Sequence, residues 1–420
     1  MVVLAAAAAV AAMLVVPSTE ARAATPAGFF GLNYAFKDIT GGDVLMLKKS
    51  GATTVRWTMN WSNIEPSSGH WNWSAADKVV GGLAAQGIRV LPVMWGSPRW
   101  VASSAITAPV ATQKQRDAWS GYLRAAIKRY GPGGNYWSGA YRTQHPGKAA
   151  LPVNTWQIWN EANLKSAMTP TTPATYAKLL TLSHTVIRQT DPKAKVMFAG
   201  LLSHPPNGAT AWTFLRDVDH QPGARTAFDI MASNAYSPSV SGMLDDLDHI
   251  RQTMAANGQG PKPLWIDEVG WSSDPVNPAN GGYAKGMQGQ RKILAQAFNA
   301  LLQKRASMRI GKVLWFNFRD PGGGNSNICG YCTSAGLLTN TFQTKPAWSA
   351  FLNFSGSCSA REGRAGLESM QRGATGRGSQ AAAAAPPAPH AAQATEPCRA
   401  APPAFNPSRP PTPRHGHAIR

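Results

Sequence analysis

The stretch WQIWNEAN at residues 156–163 is a short apolar run that ends in an amide and a carboxylate. A second stretch, LWIDEVGW at residues 264–271, has the same character and carries a glutamate near its end. Apolar runs of this length, bounded by polar residues, are typical of strands buried in a parallel sheet. Both stretches are therefore predicted to be buried strands with a carboxylate at their carboxyl ends.

Similar runs recur along the chain and alternate with helix-like stretches. Amphipathic helices are predicted at residues 115–130 and 290–303, among others. Eight alternations imply parallel pairing and favour the α/β class, with a single (β/α)8 TIM barrel as the catalytic domain. The eight β-like runs are residues 29–33, 54–58, 89–94, 155–160, 195–199, 230–235, 264–268 and 313–317.

A doubly wound open sheet is the alternative architecture for such a pattern. That fold would place a glycine-rich phosphate turn after its first strand. The sequence GLNY at residues 31–34 is not such a turn. The barrel is therefore the preferred interpretation.

Three glutamates occur in residues 24–354, namely Glu65, Glu161 and Glu268. Glu161 and Glu268 end predicted strands four and seven, at the barrel end that carries active sites. Carboxylates are costly to bury without a function or a partner, although a surface or salt-bridged pair is the alternative. Glu65 precedes Pro66 and is interpreted as a turn residue. Asp267 is expected to point away from Glu268, against an outer helix.

The order of these motifs resembles clan A of the retaining glycoside hydrolases, especially families 5 and 39. An Asn-Glu pair ends strand four and a second glutamate ends strand seven. The resemblance covers nearly all of residues 28–354. Further matching segments are TVRW (54–57), WSNIEP (61–66), GHWNW (69–73), SPRW (97–100) and Tyr236.

The resemblance implies a role for each catalytic glutamate. Glu161 would be the general acid/base and Glu268 the nucleophile, with carboxyl groups about 5–5.5 Å apart for retention. No cofactor would be needed, because carboxylates supply both the proton and the nucleophile. The pKa of Glu161 should be raised by aromatic burial and by the charge of Glu268.

Other residues would hold the nucleophile or the substrate. Arg56 and Tyr236 would keep Glu268 ionised, and Asn160 would bind the sugar 2-hydroxyl. A salt bridge elsewhere for Arg56 and a packing role for Tyr236 are the alternatives. Asn33, at the end of strand one, is a further candidate for substrate binding.

Two positions depart from the pattern of these families. Relatives often have a histidine two residues before the tyrosine, where this chain has Asn234, and many family 5 members have a histidine where this chain reads MWG at residues 94–96. The departures leave both glutamates in place. They do not favour any particular sugar.

All 15 tryptophans lie between residues 57 and 348. Indole faces near an active site can stack on sugar rings, which present C–H groups to them. Trp100, Trp271 and Trp315 are expected to be such platforms because each lies at or just beyond the end of a strand. A core position is the alternative for each of them.

The ends of the chain differ from its middle in composition. Residues 1–23 are predicted to be a secretory signal peptide, since an apolar run precedes the small-residue sequence ARA. Its apolar run is shorter than the roughly 20 residues that span a bilayer. The catalytic domain would occupy residues 24–355, and the Ala-, Pro- and Arg-rich residues 356–420 a disordered tail. We expect a secreted monomer without membrane insertion.

Charge and cysteines narrow the choice of partners. The formal net charge is +20, which permits contact of the basic tail with a cell wall or a polyanion. No nucleic-acid-binding signature occurs, and no metal site is expected. Cys329 and Cys332 are the preferred disulfide among three possible pairing schemes for the four cysteines. A carbohydrate is thus the expected partner, and a non-catalytic carbohydrate-binding barrel remains the alternative to an enzyme.

Overall fold

A computed structural model of the chain describes residues 25–35, 38–277, 281–322 and 330–356. Residues 1–23, predicted to be a signal peptide, and residues 357–420, in the predicted tail, lie outside this part. Cys329 also lies outside it, and its disulfide with Cys332 stays a prediction. In the described ranges, no helix is both long and apolar enough to cross a membrane.

One parallel sheet of nine strands, in the order β5-β4-β3-β2-β1-β9-β8-β7-β6, forms the centre of the fold. The strands that come first and last in the chain, β1 and β9, pair with each other, so the sheet curls. The strands are β1 (Phe30–Tyr34), β2 (Thr54–Asn60), β3 (Arg89–Trp95), β4 (Thr155–Ile158), β5 (Lys195–Met197), β6 (Leu201–Leu202), β7 (Met231–Asn234), β8 (Leu264–Val269) and β9 (Ile310–Trp315).

Strands β5 and β6 are two halves of one barrel strand, separated by only three residues. The β5 half pairs with β4 and is bridged to the start of β7 through Met197 and Ile230. The β6 half pairs with β7 and is bridged back to the end of β4 through Asn160 and Gly200. These contacts close the sheet and confirm the predicted (β/α)8 barrel.

Helices surround the sheet and connect its parallel strands. The helix predicted at residues 115–130 is α4, which begins two residues earlier behind the capping residue Thr112. The helices are α1 (Gly41–Lys49), α2 (Trp61–Ile64), α3 (Ser74–Ala84), α4 (Gln113–Tyr130), α5 (Asn135–Ser138), α6 (Ala140–Gln144), α7 (Pro173–Thr190), α8 (Ala211–Asp219), α9 (Val240–Ala256), α10 (Gly286–Lys304) and α11 (Pro346–Ser355).

The core has two layers. The larger one lies between the sheet and the helices, where, for example, Phe30 of β1 stacks on Phe298 of α10 with ring centroids 4.0 Å apart. A smaller cluster contains side chains from strands that are far apart in the sheet order. Such side chains meet only inside a barrel. This inner cluster consists of Leu91, Met197, Ile230, Ala232 and Leu314. A packed barrel interior of this kind leaves the strand ends as the place for a cavity.

Candidate active site

A cavity of about 890 Å³ opens at the carboxyl ends of the strands. This volume is in the range of binding sites for small molecules and short oligomers. Both predicted catalytic glutamates line it. Other lining residues include Asn33, Tyr34, Arg56, Trp57, Trp95, Asn160, Leu164, His204, Tyr236, Tyr283, Phe316 and Tyr331.

Glu161 lies just beyond the end of β4, on a turn whose backbone is unusual. Trp159 and Glu161 both have positive φ values, 69° and 46°, which non-glycine residues adopt mainly where the surroundings enforce them. The Glu161 N–H donates to the carbonyl of Gly200 at 2.9 Å. This turn swings the Glu161 side chain into the cavity instead of continuing the strand.

The protonation of Glu161 depends on its neighbours. Burial and then the negative charge of Glu268 raise its pKa to about 7. Asn234 opposes this effect, since its Nδ2 donates to Glu161 Oε1 at 2.9 Å and favours the ionised form. A carboxyl group poised near neutral pH is suited to giving and taking a proton.

Glu268 of β8 is buried and held by two donors. Arg56 Nη1 donates to Oε1 at 2.6 Å, and the Tyr236 hydroxyl donates to Oε2 at 2.7 Å. A guanidinium group and a hydroxyl thus fix both oxygens of Glu268, whereas one amide donates to Glu161.

Arg56 of β2 connects the strands around the site. Its Nη2 donates to Asn160 Oδ1 at 2.6 Å, its Nη1 also reaches Asn33 Oδ1 at 3.0 Å, and its Nε donates to Gln157 Oε1 at 2.7 Å. The planar, five-donor guanidinium group makes such a multiple contact possible. The structure thus brings together Arg56, Asn33, Asn160, Tyr236 and both glutamates.

Asp267 does not face an outer helix, so that expectation was wrong. It is fully buried, lies 3.3 Å from Arg56 Nε, and accepts a hydrogen bond from Gln157 at 2.5 Å. The pairing of β8 with β9 shifts register between Ile266 and Val269. Such an irregularity breaks simple strand alternation, and Asp267 and Glu268 both contact Arg56 as a result.

The three expected tryptophan platforms are absent from the lining of the cavity, which corrects those predictions. Trp271 and Trp315 are fully buried, and their indole N–H groups donate to the carbonyls of Ser237 and Ala335. Trp100 is partly buried, donates to the carbonyl of Glu65 and packs edge-on against Trp61. Each lies at or beyond the end of a strand, as predicted, but the rings of Trp271 and Trp315 pack on each other and that of Trp315 also on Phe298 of α10.

Other aromatic side chains take the place of those platforms. Trp57 and Trp95 line the cavity, as do Tyr283 and Tyr331. The two tyrosines stack with ring centroids 4.3 Å apart and come from loops after β8 and β9. No periodic pattern marks these loop residues in the sequence.

Glu65 does not line the cavity. It accepts hydrogen bonds from the Trp61 indole and the Gly69 backbone, both at 2.8 Å. It therefore lies at the end of α2, which follows β2 directly, and links this helix to the turn at Gly69. Over the described ranges, no group of three or more His, Cys, Asp or Glu side chains is arranged to hold a metal ion.

Comparison with solved structures places this fold among glycoside hydrolases. A family 39 glycoside hydrolase from Bacteroides cellulosilyticus WH2 matches with a TM-score of 0.56 and 17% identity over 78% of this chain and 63% of that one. This chain thus spans less than two thirds of that enzyme. A monomeric β-xylosidase from Caulobacter crescentus CB15 matches with a TM-score of 0.56 and 18% identity over 79% and 69% of the two chains.

A third structure, xylanase 10B from Thermotoga petrophila RKU-1 in complex with xylobiose, has a TM-score of 0.54 and 13% identity over 78% of this chain and 93% of that one. No protein-family model and no curated protein matches the sequence. At these identities the likeness concerns the fold. The predicted resemblance to clan A is confirmed at that level: the chain has the (β/α)8 barrel of these glycoside hydrolases.

Proposed function

We propose that the protein is a retaining glycoside hydrolase that cleaves β-glycosidic bonds in polysaccharides or oligosaccharides by double displacement. One observation carries the proposal: two carboxyl groups line the same cavity in opposite environments. Burial and Glu268 raise the pKa of Glu161 to about 7, whereas Arg56 and Tyr236 donate to Glu268. An acid and a nucleophile need this division.

In the first step, a carboxylate oxygen of Glu268 forms a bond to the anomeric carbon. The glycosidic C–O bond breaks at the same time, and Glu161 gives its proton to the departing oxygen. The products are a covalent glycosyl ester on Glu268 and the released alcohol. Asn160 supports this step: Arg56 and Asn234 donate to its Oδ1, which leaves its amide nitrogen to bind a sugar hydroxyl.

In the second step, Glu161 is a carboxylate and acts as a base. It takes a proton from water, the water oxygen bonds to the anomeric carbon, and the ester bond to Glu268 breaks. Two inversions give net retention. The two glutamates return to their starting protonation states, so the cycle balances without a cofactor.

Two relatives in fold support a first choice of substrate class. Two of the compared proteins are named as a β-xylosidase and a xylanase, so β-linked xylosides are the first substrates to test. We further propose a secreted monomer, on the basis of the signal-like residues 1–23 and the monomeric fold relative. The basic tail would contact a wall or polyanion in this scheme.

The test is to incubate the mature protein with xylan, β-glucans, mannan and aryl β-glycosides, and to detect released sugar by mass spectrometry. The matched control is Glu268→Ala. Release by the wild type alone would support the proposal. Binding of a glycan without cleavage would contradict it and favour a non-catalytic carbohydrate-binding barrel.

A further inference from the structure

Two loops bring the stacked tyrosines Tyr283 and Tyr331 to the cavity. The loop after β8 carries Tyr283, and the loop after β9 carries Tyr331. The Tyr331 ring also packs edge-on against Tyr236, with ring centroids 5.6 Å apart, and the Tyr236 hydroxyl donates to Glu268. The position of Tyr331 therefore affects the tyrosine that holds the proposed nucleophile.

The two loops meet at Ser334, which a single 3-10 turn joins to Tyr331. The carbonyl of Ser334 accepts hydrogen bonds from the backbone N–H and the hydroxyl of Ser273, both at 3.0 Å. The hydroxyl of Ser272 lies 2.8 Å from that of Ser334. The Ser272 N–H in turn donates to the carbonyl of Tyr283 at 3.1 Å. These contacts connect both tyrosines to one place where the loops touch.

Lys345 lies at this place, directly before α11. Its side chain is buried, and its Nζ donates to the Ser334 carbonyl and to the Ser273 hydroxyl, both at 2.9 Å. The same Nζ lies 2.8 Å and 2.6 Å from the two carboxylate oxygens of Asp320. Asp320 also accepts from the N–H of Gly336 at 2.8 Å. One cation thus links both loops to the start of α11.

A charge pair buried here is a costly way to gain stability. An ammonium group and a carboxylate lose their hydration on burial, and their attraction often only offsets that loss. An apolar pair of similar size would often stabilise the loops as well or better. The ammonium group has three N–H donors, however, and Lys345 uses them on three different residues. The pair is therefore better suited to fixing the geometry of the loops than to stabilising them.

We propose that Lys345 is a positioning residue for the reaction. Together with Asp320 it fixes Tyr331 against Tyr236, and through Tyr236 it fixes the orientation of Glu268. The catalytic part of this proposal rests on the proposed function. Neither Lys345 nor Asp320 lines the cavity, so their effect on a bound substrate passes through the loops.

The test variant is the double substitution Lys345→Met with Asp320→Asn. Methionine keeps an unbranched side chain without the charge, and asparagine keeps an oxygen for the Gly336 N–H, so no buried charge is left without a partner. The matched control is Arg129→Met with Asp77→Asn, a partly buried pair that joins α4 to α3 and does not line the cavity. Thermal melting checks that each variant is folded.

One readout does not depend on activity. The tyrosines are replaced by meta-fluorotyrosine, and the fluorine NMR resonance of Tyr331 is the one that a Tyr331→Phe variant lacks. We expect this resonance to shift and broaden in the test variant, because the ring no longer has fixed surroundings. The control variant should leave it unchanged.

The second readout is kcat/KM for aryl β-xylosides and aryl β-glucosides. The test variant should lose about tenfold, an effect in the range of couplings between neighbouring residues. In a Tyr331→Ala background the same two substitutions should change kcat/KM by less than about twofold, because the ring through which they act is absent. A merely structural role would lower kcat/KM equally in both backgrounds.

Three results would overturn the positioning role. An unchanged Tyr331 resonance in the test variant would show that the pair does not hold the ring, and an unchanged kcat/KM would show that catalysis does not need it. A tenfold loss that persists in the Tyr331→Ala background would show that the pair acts by another route. If the wild type cleaves none of the glycosides, the proposed function fails for them, and the resonance still decides whether Lys345 holds Tyr331.

Discussion

Asn234 Nδ2 donates a hydrogen bond to Oε1 of Glu161 at 2.9 Å, which links the end of β7 to the turn after β4. The contact favours the ionised form of Glu161, whereas burial and Glu268 favour the protonated form. In the clan A families whose motifs this sequence resembles, a histidine often occupies this position. An amide provides the same donor without a titrating group, so it adds no ionisation of its own to the pH dependence.

The first prediction concerns this amide. In Asn234→Ala the carboxylate of Glu161 loses a donor, so its pKa should rise by roughly one unit, the equivalent of about 1.4 kcal/mol. The basic limb of the kcat/KM profile, expected near pH 7 in the wild type, should move to higher pH. A limb that stays in place or moves to lower pH would contradict the assignment of Glu161 as the acid.

Asp267 gives a second prediction of opposite sign. Its negative charge contributes to the raised pKa of Glu161, and burial raises its own pKa to about 6, so it is mostly ionised at pH 7. Asp267→Asn removes this charge, so the pKa of Glu161 should fall and the basic limb should move to lower pH by roughly half a unit. The same pH profile checks it. A shift in the same direction as that of Asn234→Ala would show that both variants act through general disruption.

A third prediction tests the guanidinium of Arg56. Lysine cannot reach Glu268, Asn160 and Gln157 together. Arg56→Lys should lower kcat/KM about 100-fold and should lower the free energy of unfolding by about 2–4 kcal/mol, because buried carboxylates lose a partner. Kinetics and thermal melting measure the two effects. Activity within about threefold of the wild type would refute the role of the guanidinium network.

The fourth prediction concerns Gly200, at the break between β5 and β6. A Cβ atom here would overlap Oδ1 of Asn234 and the carboxylate of Asp267. Gly200→Ala should therefore destabilise the fold by about 1–3 kcal/mol and lower activity sharply. The matched control is Gly121→Ala in α4, where no atom outside the backbone of its own helix and its chain neighbours lies within 4 Å of the new Cβ. That variant should be neutral or stabilised by up to about 1 kcal/mol, and a similar loss in both would contradict the local clash.

The sequence predicted the barrel well because its signal is one of periodicity. Buried parallel strands are apolar on both faces, so their runs stand out between amphipathic helices, and residues 155–160 and 264–268 overlap β4 and β8. The break between β5 and β6 was missed, because residues 195–199 look like one continuous run. The close approach of Gly200 to Asn234 and Asp267 depends on the tertiary structure, so no local sequence pattern predicts it.

Side-chain direction was less predictable than strand position. Strand alternation predicts that Asp267 points away from Glu268. This prediction is wrong because the register of β8 shifts against its neighbour β9. Trp315 ends β9 and Trp271 lies two residues beyond β8, but their rings pack on each other, and that of Trp315 also on Phe298 of α10. One signal was available for the inner polar network: Gln157 lies between apolar residues of a buried strand, where an amide requires a partner.

The most direct test of the central claim is azide rescue of Glu268→Ala. Without its nucleophile the variant should be inactive but folded, and azide should enter the vacated space and attack the anomeric carbon of an activated β-glycoside. We predict an α-glycosyl azide, the inverted product, identified by its anomeric coupling in NMR. A β-glycosyl azide, the retained product, would instead identify Glu268 as the acid/base and contradict the assignment of the two glutamates.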